Sequence, residues 1–430
     1  MKKCLGIDWG HETHALALVG PDGTVVEEWT IDHTPTALST LLERLDREGG
    51  PAQVDIALEP GAALLLDRLY DAGYTLYPIN PKQLDRFRDR HFPSGAKDDS
   101  RDALVAALAL ARDRDRLRPL QAQDALTEEL VARARACQRL VRLRADLANQ
   151  ARTVLRRYFP ALEKLERDMD DPFFLDLLKA YPDADAARRA RPSRIQSLLK
   201  AHRIRALDVE KILAVFRAPA FPVRPHIVHA CRDEIAALAA QIRQLNALIK
   251  DALTRMAQRF EEHPDRHLLL SLPGLGEVLA VRVGVRLGRD RLEHLDPTIL
   301  QALGGTAPVT LSTGRKSRRR PPPGAGPRYG RKVVLMRRAC DPNLQADLNQ
   351  WAGQSVRSSR WAAACYSHLR RRGLTHNGAL RTLANKWVKI LAAVIRTNTA
   401  YDEERHVRDL VRAGVPWALA LATPPETAAS

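Results

Sequence analysis

Short apolar runs alternate with turn residues along the first eighty positions. Residues 3–8 (KCLGID) are an apolar strand ending in Asp8, and His14 to Val19 (HALALV) is a second strand. Pro21-Asp22-Gly23 makes a tight turn into a third strand, Thr24 to Trp29. Leu38 to Leu45 has helical spacing, Val54 to Leu58 is a strand ending at Glu59, and residues 62–72 form a helix closed by Gly73. Tyr74 to Ile79 is a further strand, stopped by Asn80-Pro81. A hairpin followed by alternating helices and strands describes an α/β domain with a mixed sheet.

From Thr127 the spacing becomes that of long helices. Two segments, LTEELVARARACQRLVRLRADLANQARTVLRRYF and DEIAALAAQIRQLNALIKDALTRMAQRF, keep apolar residues at helical intervals with arginine on the other faces. With a proline-broken helical insertion between them, at about residues 160–222, they read as an antiparallel coiled coil or helical arm. Arms of this length serve self-association more often than catalysis, so a homo-oligomer, a dimer or tetramer, is expected. The last region opens at Leu268. Its turn Pro273-Gly274-Leu275-Gly276 resembles the hairpin of helix-hairpin-helix modules, where a helix N-terminus holds a phosphate, although PGLG also serves as a plain turn. Helices follow over Pro342 to Val356, Trp361 to Arg371 and Asn377 to Arg396, with Trp351, Trp361 and Trp387 on core faces and a frayed tail beyond.

Charge adds a partner to this picture. The 430 residues carry a formal net charge of +17, which points to nucleic acid rather than to a small metabolite. Aromatic residues are only 5% of the chain, so backbone and groove contact is expected to outweigh base stacking. The stretch Ser312 to Arg338 holds ten basic residues and no acidic one, and a hydroxyl beside it can attack or hold a phosphate. Arg315, Lys316, Arg318, Arg319, Arg320, Arg331 and Lys332 are the expected nucleic-acid contacts. Five dispersed cysteines argue against a disulfide framework or a zinc site, and the histidines show no metal-binding spacing. The N-terminal apolar run is too short for a signal peptide and no stretch has membrane-spanning length, so a cytoplasmic protein is expected.

Four carboxylates can be gathered in the first domain. Asp8 and Glu59 end strands, and Asp99 and Asp102 lie on the first turn of a helix, where i,i+3 spacing puts them on one face. Asp98 shares a face with Asp102 at i,i+4, and Asp99 is preferred over it. Singly, each reads as a cap or surface acid. Together, carboxylates need a cation between them, and hard oxygen donors select Mg²⁺ or Mn²⁺, ions that serve phosphoryl transfer.

These residues carry a resemblance. LGIDWG around Asp8, IALEP around Glu59, LYDAGYTLYPINP, and Lys97-x-Asp99-x-x-Asp102-Ala103 resemble the DEDD transposases of the insertion sequence one-ten family. So do LPGLGEVLA, LGGTAPVTLSTG, RRAC and the closing Tyr401-Asp402 pair. The resemblance implies an α/β RuvC-like (RNase H-like) N-terminal domain at residues 1–118, a coiled-coil arm at 119–264, a mostly α C-terminal transposase domain at 265–405, and a tail at 406–430. It also implies divalent metal on Asp8, Glu59, Asp99 and Asp102, a serine nucleophile forming a phosphoserine link to donor and target DNA, and a structured guide RNA. The family shows serine directly before glycine. Here Thr313 precedes Gly314 and Ser312 stands one earlier; register favours Thr313, residue type favours Ser312, and Ser312 is taken as the nucleophile. The alternatives are a junction endonuclease using water and a non-catalytic basic nucleic-acid-binding protein.

Overall fold

The computed structural model describes residues 2–59, 63–91, 99–120, 123–219, 221–312, 332–335, 337 and 340–421. The chain forms two compact units, Met1–Ala122 and Gln123–Ser430. The arm and the C-terminal region both lie in the second unit.

In the first unit, β1 (Lys3–Trp9), β2 (Thr13–Val19), β3 (Val25–Asp32), β4 (Val54–Leu58) and β5 (Thr75–Pro78) make one sheet in the order β3-β2-β1-β4-β5. The hairpin strands β1, β2 and β3 are antiparallel, whereas β4 and β5 run parallel to β1. The parallel strands require crossovers. Helices α1 (Pro35–Arg47), α2 (Gly50–Gln53) and α3 (Ala63–Asp71) lie in the connections, and α4 (Pro81–His91) and α5 (Asp99–Asp113) follow β5.

Period-two alternation divides the strand side chains between two cores. Leu5, Ile7, Leu16, Leu18 and Ile56 pack with Leu41 and Leu45 of α1 and Leu65 and Leu69 of α3. On the other face, Cys4, Ala15, Ala17 and Ala57 meet the alanine-rich side of α5. Gly6 makes that second contact possible: a Cβ there would collide with the Ala103 carbonyl and lie 2.6 Å from the Ala107 nitrogen. The α5 backbone therefore rests directly on β1.

The second unit begins with α6 (Ala125–Tyr158), capped by Asp124, whose carboxylate accepts from Thr127 N at 2.9 Å. It pairs along its length with α11 (Pro225–Phe260). Between them α7 (Pro172–Ala180), α8 (Ala184–Arg188), α9 (Pro192–Ala201) and α10 (Val209–Arg217) build a helical head. The head has its own core around Phe159, Phe173, Phe174 and Phe216. The proline-broken insertion is thus a packed module rather than a linker.

The remainder comprises α12 (Arg266–Leu270), α13 (Glu277–Leu279) continuing as a π-helical turn over Ala280–Val285, α14 (Arg289–His294), α15 (Pro297–Leu303), the hairpin β6 (Val309–Ser312) and β7 (Lys332–Leu335), and α16 (Pro342–Ser358), α17 (Arg360–Arg371), α18 (His376–Thr397) and α19 (Glu403–Arg412). Trp351, Trp361 and Trp387 are fully buried, and each indole N–H is satisfied: by Pro273 O at 3.0 Å, Tyr401 Oη at 2.6 Å and Ser355 Oγ at 2.8 Å respectively. Residues 406–421, within the expected tail, are among those described. Helix α19 buries Val407, Leu410 and Val411 pack against the same core, and Trp417 stacks on Trp361.

Candidate active site

The strand register brings the first two carboxylates together. Ile7 pairs with Leu58 across parallel strands, so Asp8 and Glu59 follow side by side at the C-terminal ends of β1 and β4, and alternation from Gly6 and Ala57 sends both toward the α5 face. Adjacent strands are about 4.8 Å apart, which is within reach of one shared cation.

Helix α5 runs antiparallel to β1. Its C-terminal side lies near Cys4, where the Arg114 guanidinium just beyond the helix donates to the thiol at 3.4 Å, and Ala103 and Ala107 cross Gly6. The first turn of α5 consequently reaches the end of the strand that holds Asp8. Asp99 opens the helix, but its side chain lies outside the described residues, as do Asp98 and Lys97. Asp102 is buried, at 4% exposure.

Sequence reasoning missed its partner. Arg88 of α4 places Nε and Nη2 each 2.7 Å from Asp102 Oδ1, while its Nη1 contacts Asp85 at 2.9 Å. The signal was present as an arginine on the exposed-looking helix before the acids, but nothing in the spacing distinguishes it from Arg86 or Arg90.

The opposite end of the sheet carries a different buried acid. Asp55, 2% exposed, receives Lys2 Nζ at 3.0 Å and pairs with Arg114, so its charge is compensated within the fold. His14 is also buried. Its Nε2 lies 2.9 Å from His33 Nδ1, and burial, with His33 beside it, lowers its pKa and favours the neutral ring. It faces α1 and α3, on the other side of the sheet from Asp8.

In the second unit, β6 ends at Ser312, whose backbone pairs with Lys332 of β7. The Ser312 and Lys332 side chains, together with Thr313, Arg315, Lys316, Arg318, Arg319, Arg320 and Arg331, lie outside the described residues. The foot of this hairpin is tied on both sides. Asp341 N donates to Leu303 O at 3.1 Å, Gln345 Nε2 to Gly305 O at 3.0 Å, and Thr306 Oγ1 to Asn385 Oδ1 at 2.9 Å. Beneath it, fully buried Asp347 pairs with Arg282 and accepts from Gln138 Nε2 at 2.8 Å, and Arg286 pairs with Asp341. Burial raises the Asp347 pKa, with Arg282 opposing.

The PGLG turn packs by one glycine and leaves the other open, since a Cβ on Gly276 would meet nothing within 4 Å. Gly274 adopts φ +76°, and a Cβ there would lie 2.6 Å from Ser355 N, so the turn is packed against α16. Among the described residues no helix is long and apolar enough to cross a membrane.

Comparison with known proteins assigns the class. A family model described as transposase matches residues 5–160, and a second, described as Transposase IS116/IS110/IS902 family, matches residues 266–339. The mini-circle putative transposase for IS117 of Streptomyces coelicolor is 30% identical over 417 residues, covering 95% of this chain and 97% of that protein. The 42 kDa protein of insertion element IS900 from Mycobacterium paratuberculosis is 27% identical over 406 residues, covering 92% and 96%. A putative transposase of Sinorhizobium fredii, y4uE, is 39% identical over 206 residues, covering 47% and 57%. These matches define a transposase, an enzyme that cleaves and rejoins DNA. The chain belongs to the IS110 family of insertion-sequence transposases.

Proposed function

We propose that this transposase cuts and exchanges DNA strands through a serine nucleophile, with a divalent cation held by the carboxylates of the first unit. The observation that carries this reading is the placement of Asp8 and Glu59 side by side at strand ends, on the face over which the Asp99–Asp102 turn of α5 arrives. The strand order and mixed directions support the RuvC-like, RNase H-like assignment. Hard oxygen donors in this grouping suit Mg²⁺ or Mn²⁺. Asp102 is the exception: it faces Arg88, and among the described residues no three metal-type side chains form a binding group. A shell that includes Asp102 therefore requires Arg88 to withdraw.

A bound cation would supply Lewis acidity at the scissile phosphate. The chain's own residues do the rest. Ser312 Oγ forms an ester bond to phosphorus as the bond to one deoxyribose oxygen breaks; the serine proton leaves and the departing oxygen gains one. Arg315, Lys316 and Arg318 stand near Ser312 in sequence, where cations stabilise the negative charge that develops. The tied foot of the β6–β7 hairpin favours a fixed position for the nucleophile. Arg319, Arg320, Arg331 and Lys332 extend the contact to the DNA backbone. Guidance by a structured RNA fits a chain rich in arginine and poor in aromatics. Val141, Leu143 and Leu248 are exposed on the arm, which supports pairing of arms between copies in a dimer or tetramer.

The test is a suicide DNA substrate spanning an element end, incubated with Mg²⁺ and flanking RNA, followed by mass spectrometry. An adduct at Ser312 is expected. One at Thr313 moves the nucleophile by a residue, and cleavage with no adduct transfers the chemistry to water.

The Arg88 contact yields a separate expectation. Arg88→Ala leaves a buried carboxylate without its counter-charge and lowers stability by about 3 kcal/mol in the absence of divalent cation. Added Mg²⁺ should then raise the unfolding midpoint more in this variant than in the parent. Calorimetry with and without Mg²⁺ checks both statements; an equal Mg²⁺ shift in the two proteins would remove Asp102 from the cation shell.

A further inference from the structure

The helical head of the arm falls between the two stretches matched by transposase family models. Three of its acids are turned to structural work, while Asp185, beside Arg188 at 3.4 Å, and Glu210 are exposed. Asp176 takes His202 Nε2 and Arg243 Nη1, each at 2.8 Å; Asp183 caps α8 and pairs with Arg232 at 2.9 Å; Asp208 caps α10 through Lys211 N at 2.6 Å. Its cations are left outside. Arg189, Arg191 and Arg194 stand at the start of α9, and Lys200, Arg203 and Arg205 at its end; all six are exposed and none has an ion pair among the described residues. A ten-residue helix is about 15 Å long, so these cations border a stripe of that length.

Arg203 is informative for a second reason. It takes φ +52° just past the end of α9, in a cap closed by Ile204 N to Leu199 O at 2.9 Å. Glycine is the residue that this backbone favours. The Arg203 side chain is exposed, so core packing does not explain an arginine there. The outer side of α9 is also polar: Ser193, Gln196 and Ser197 are exposed and no aromatic residue lies on the helix, an arrangement that suits a double helix better than stacked single-stranded bases.

We propose that the head is a second nucleic-acid contact, binding the phosphate backbone of duplex DNA through α9 and the turns at its two ends. The inference rests on the family's DNA substrate and not on the serine mechanism, so the two can fail separately.

The experiment compares the full-length protein with a quadruple variant, Arg189→Ala, Arg191→Ala, Lys200→Ala and Arg205→Ala. Anisotropy would be measured on a labelled 30-base-pair DNA lacking element sequence, across a salt series. Binding is expected to weaken at least about tenfold, with the log–log salt slope reduced by about 3. A control quadruple at Arg357, Arg371, Arg372 and Arg408, exposed cations of α16, α17 and α19 and the turn after α17, should lose much less. Arg203→Gly should weaken binding while raising the unfolding midpoint, a split that a purely structural role would not give. Unchanged affinity and slope in the head variant, an equal loss in the control, or a loss confined to duplex RNA would each overturn the proposal. A Ser312→Ala protein that keeps its adduct, while the head variant still loses affinity and salt slope, would remove the serine assignment and leave the head assignment standing alone.

Discussion

Asp8→Asn is expected to lower the rate of strand cleavage by at least about a thousandfold, equivalent to about 4 kcal/mol of transition-state stabilisation. The substitution keeps the shape of the side chain and removes one negative charge from the strand-end pair with Glu59, so the fold should survive while cation binding weakens. Single-turnover cleavage of a labelled substrate gives the rate, and the Mg²⁺-dependent rise in unfolding midpoint gives the cation effect. Asp55→Asn is the informative contrast. It removes a buried charge from Lys2 and Arg114 at the other end of the same sheet, and should cost about 3 kcal/mol of stability while the folded fraction cleaves normally. If Asp8→Asn cleaved at the parental rate, the carboxylate reading would fail regardless of the family.

Ser312→Ala is expected to abolish the covalent protein–DNA adduct altogether, whereas Thr313→Ala should retain it. The argument is steric: a primary hydroxyl approaches phosphorus more freely than the branched hydroxyl of threonine, and Ser312 is the last residue of β6, adjacent to Lys332 in the hairpin register. DNA binding should be nearly unchanged in Ser312→Ala, because the neighbouring cations remain. Gel analysis of trapped adducts decides between the two hydroxyls. Retention of the adduct in Ser312→Ala with loss in Thr313→Ala would place the nucleophile at the position that the family's serine-glycine register indicates.

Much of the first unit was legible because its signals are local. Val54 to Leu58 falls where the alternation predicts it, and Gly73 ends its helix in the left-handed conformation, φ +86°. The neighbourhood of Asp8 and Glu59 was inferred from strand ends, and the parallel register supplies it. What stayed hidden depends on contacts between distant positions. Nothing local marks Arg88 as the partner of Asp102, Asp55 as a buried ion-pair centre, or Asp347 as a fully buried acid beneath the hairpin. The charged start of α19 likewise concealed a helix that Val407, Leu410, Val411 and the nearby Trp417 hold against the core.

The arm is also a ruler. Helix α6 has 34 residues and so measures about 51 Å, and its seam with α11, through Cys137, Leu245 and Ile249, joins the head core to the C-terminal core without an intervening loop. Seven residues inserted into both helices would carry the head outward by about 10 Å while turning it by only about 20°. On DNA that displacement corresponds to about three base pairs. A footprint whose outer edge moved by that amount, with the cleavage position unchanged, would mean that the arm's length sets how far from the cut the enzyme grips its substrate.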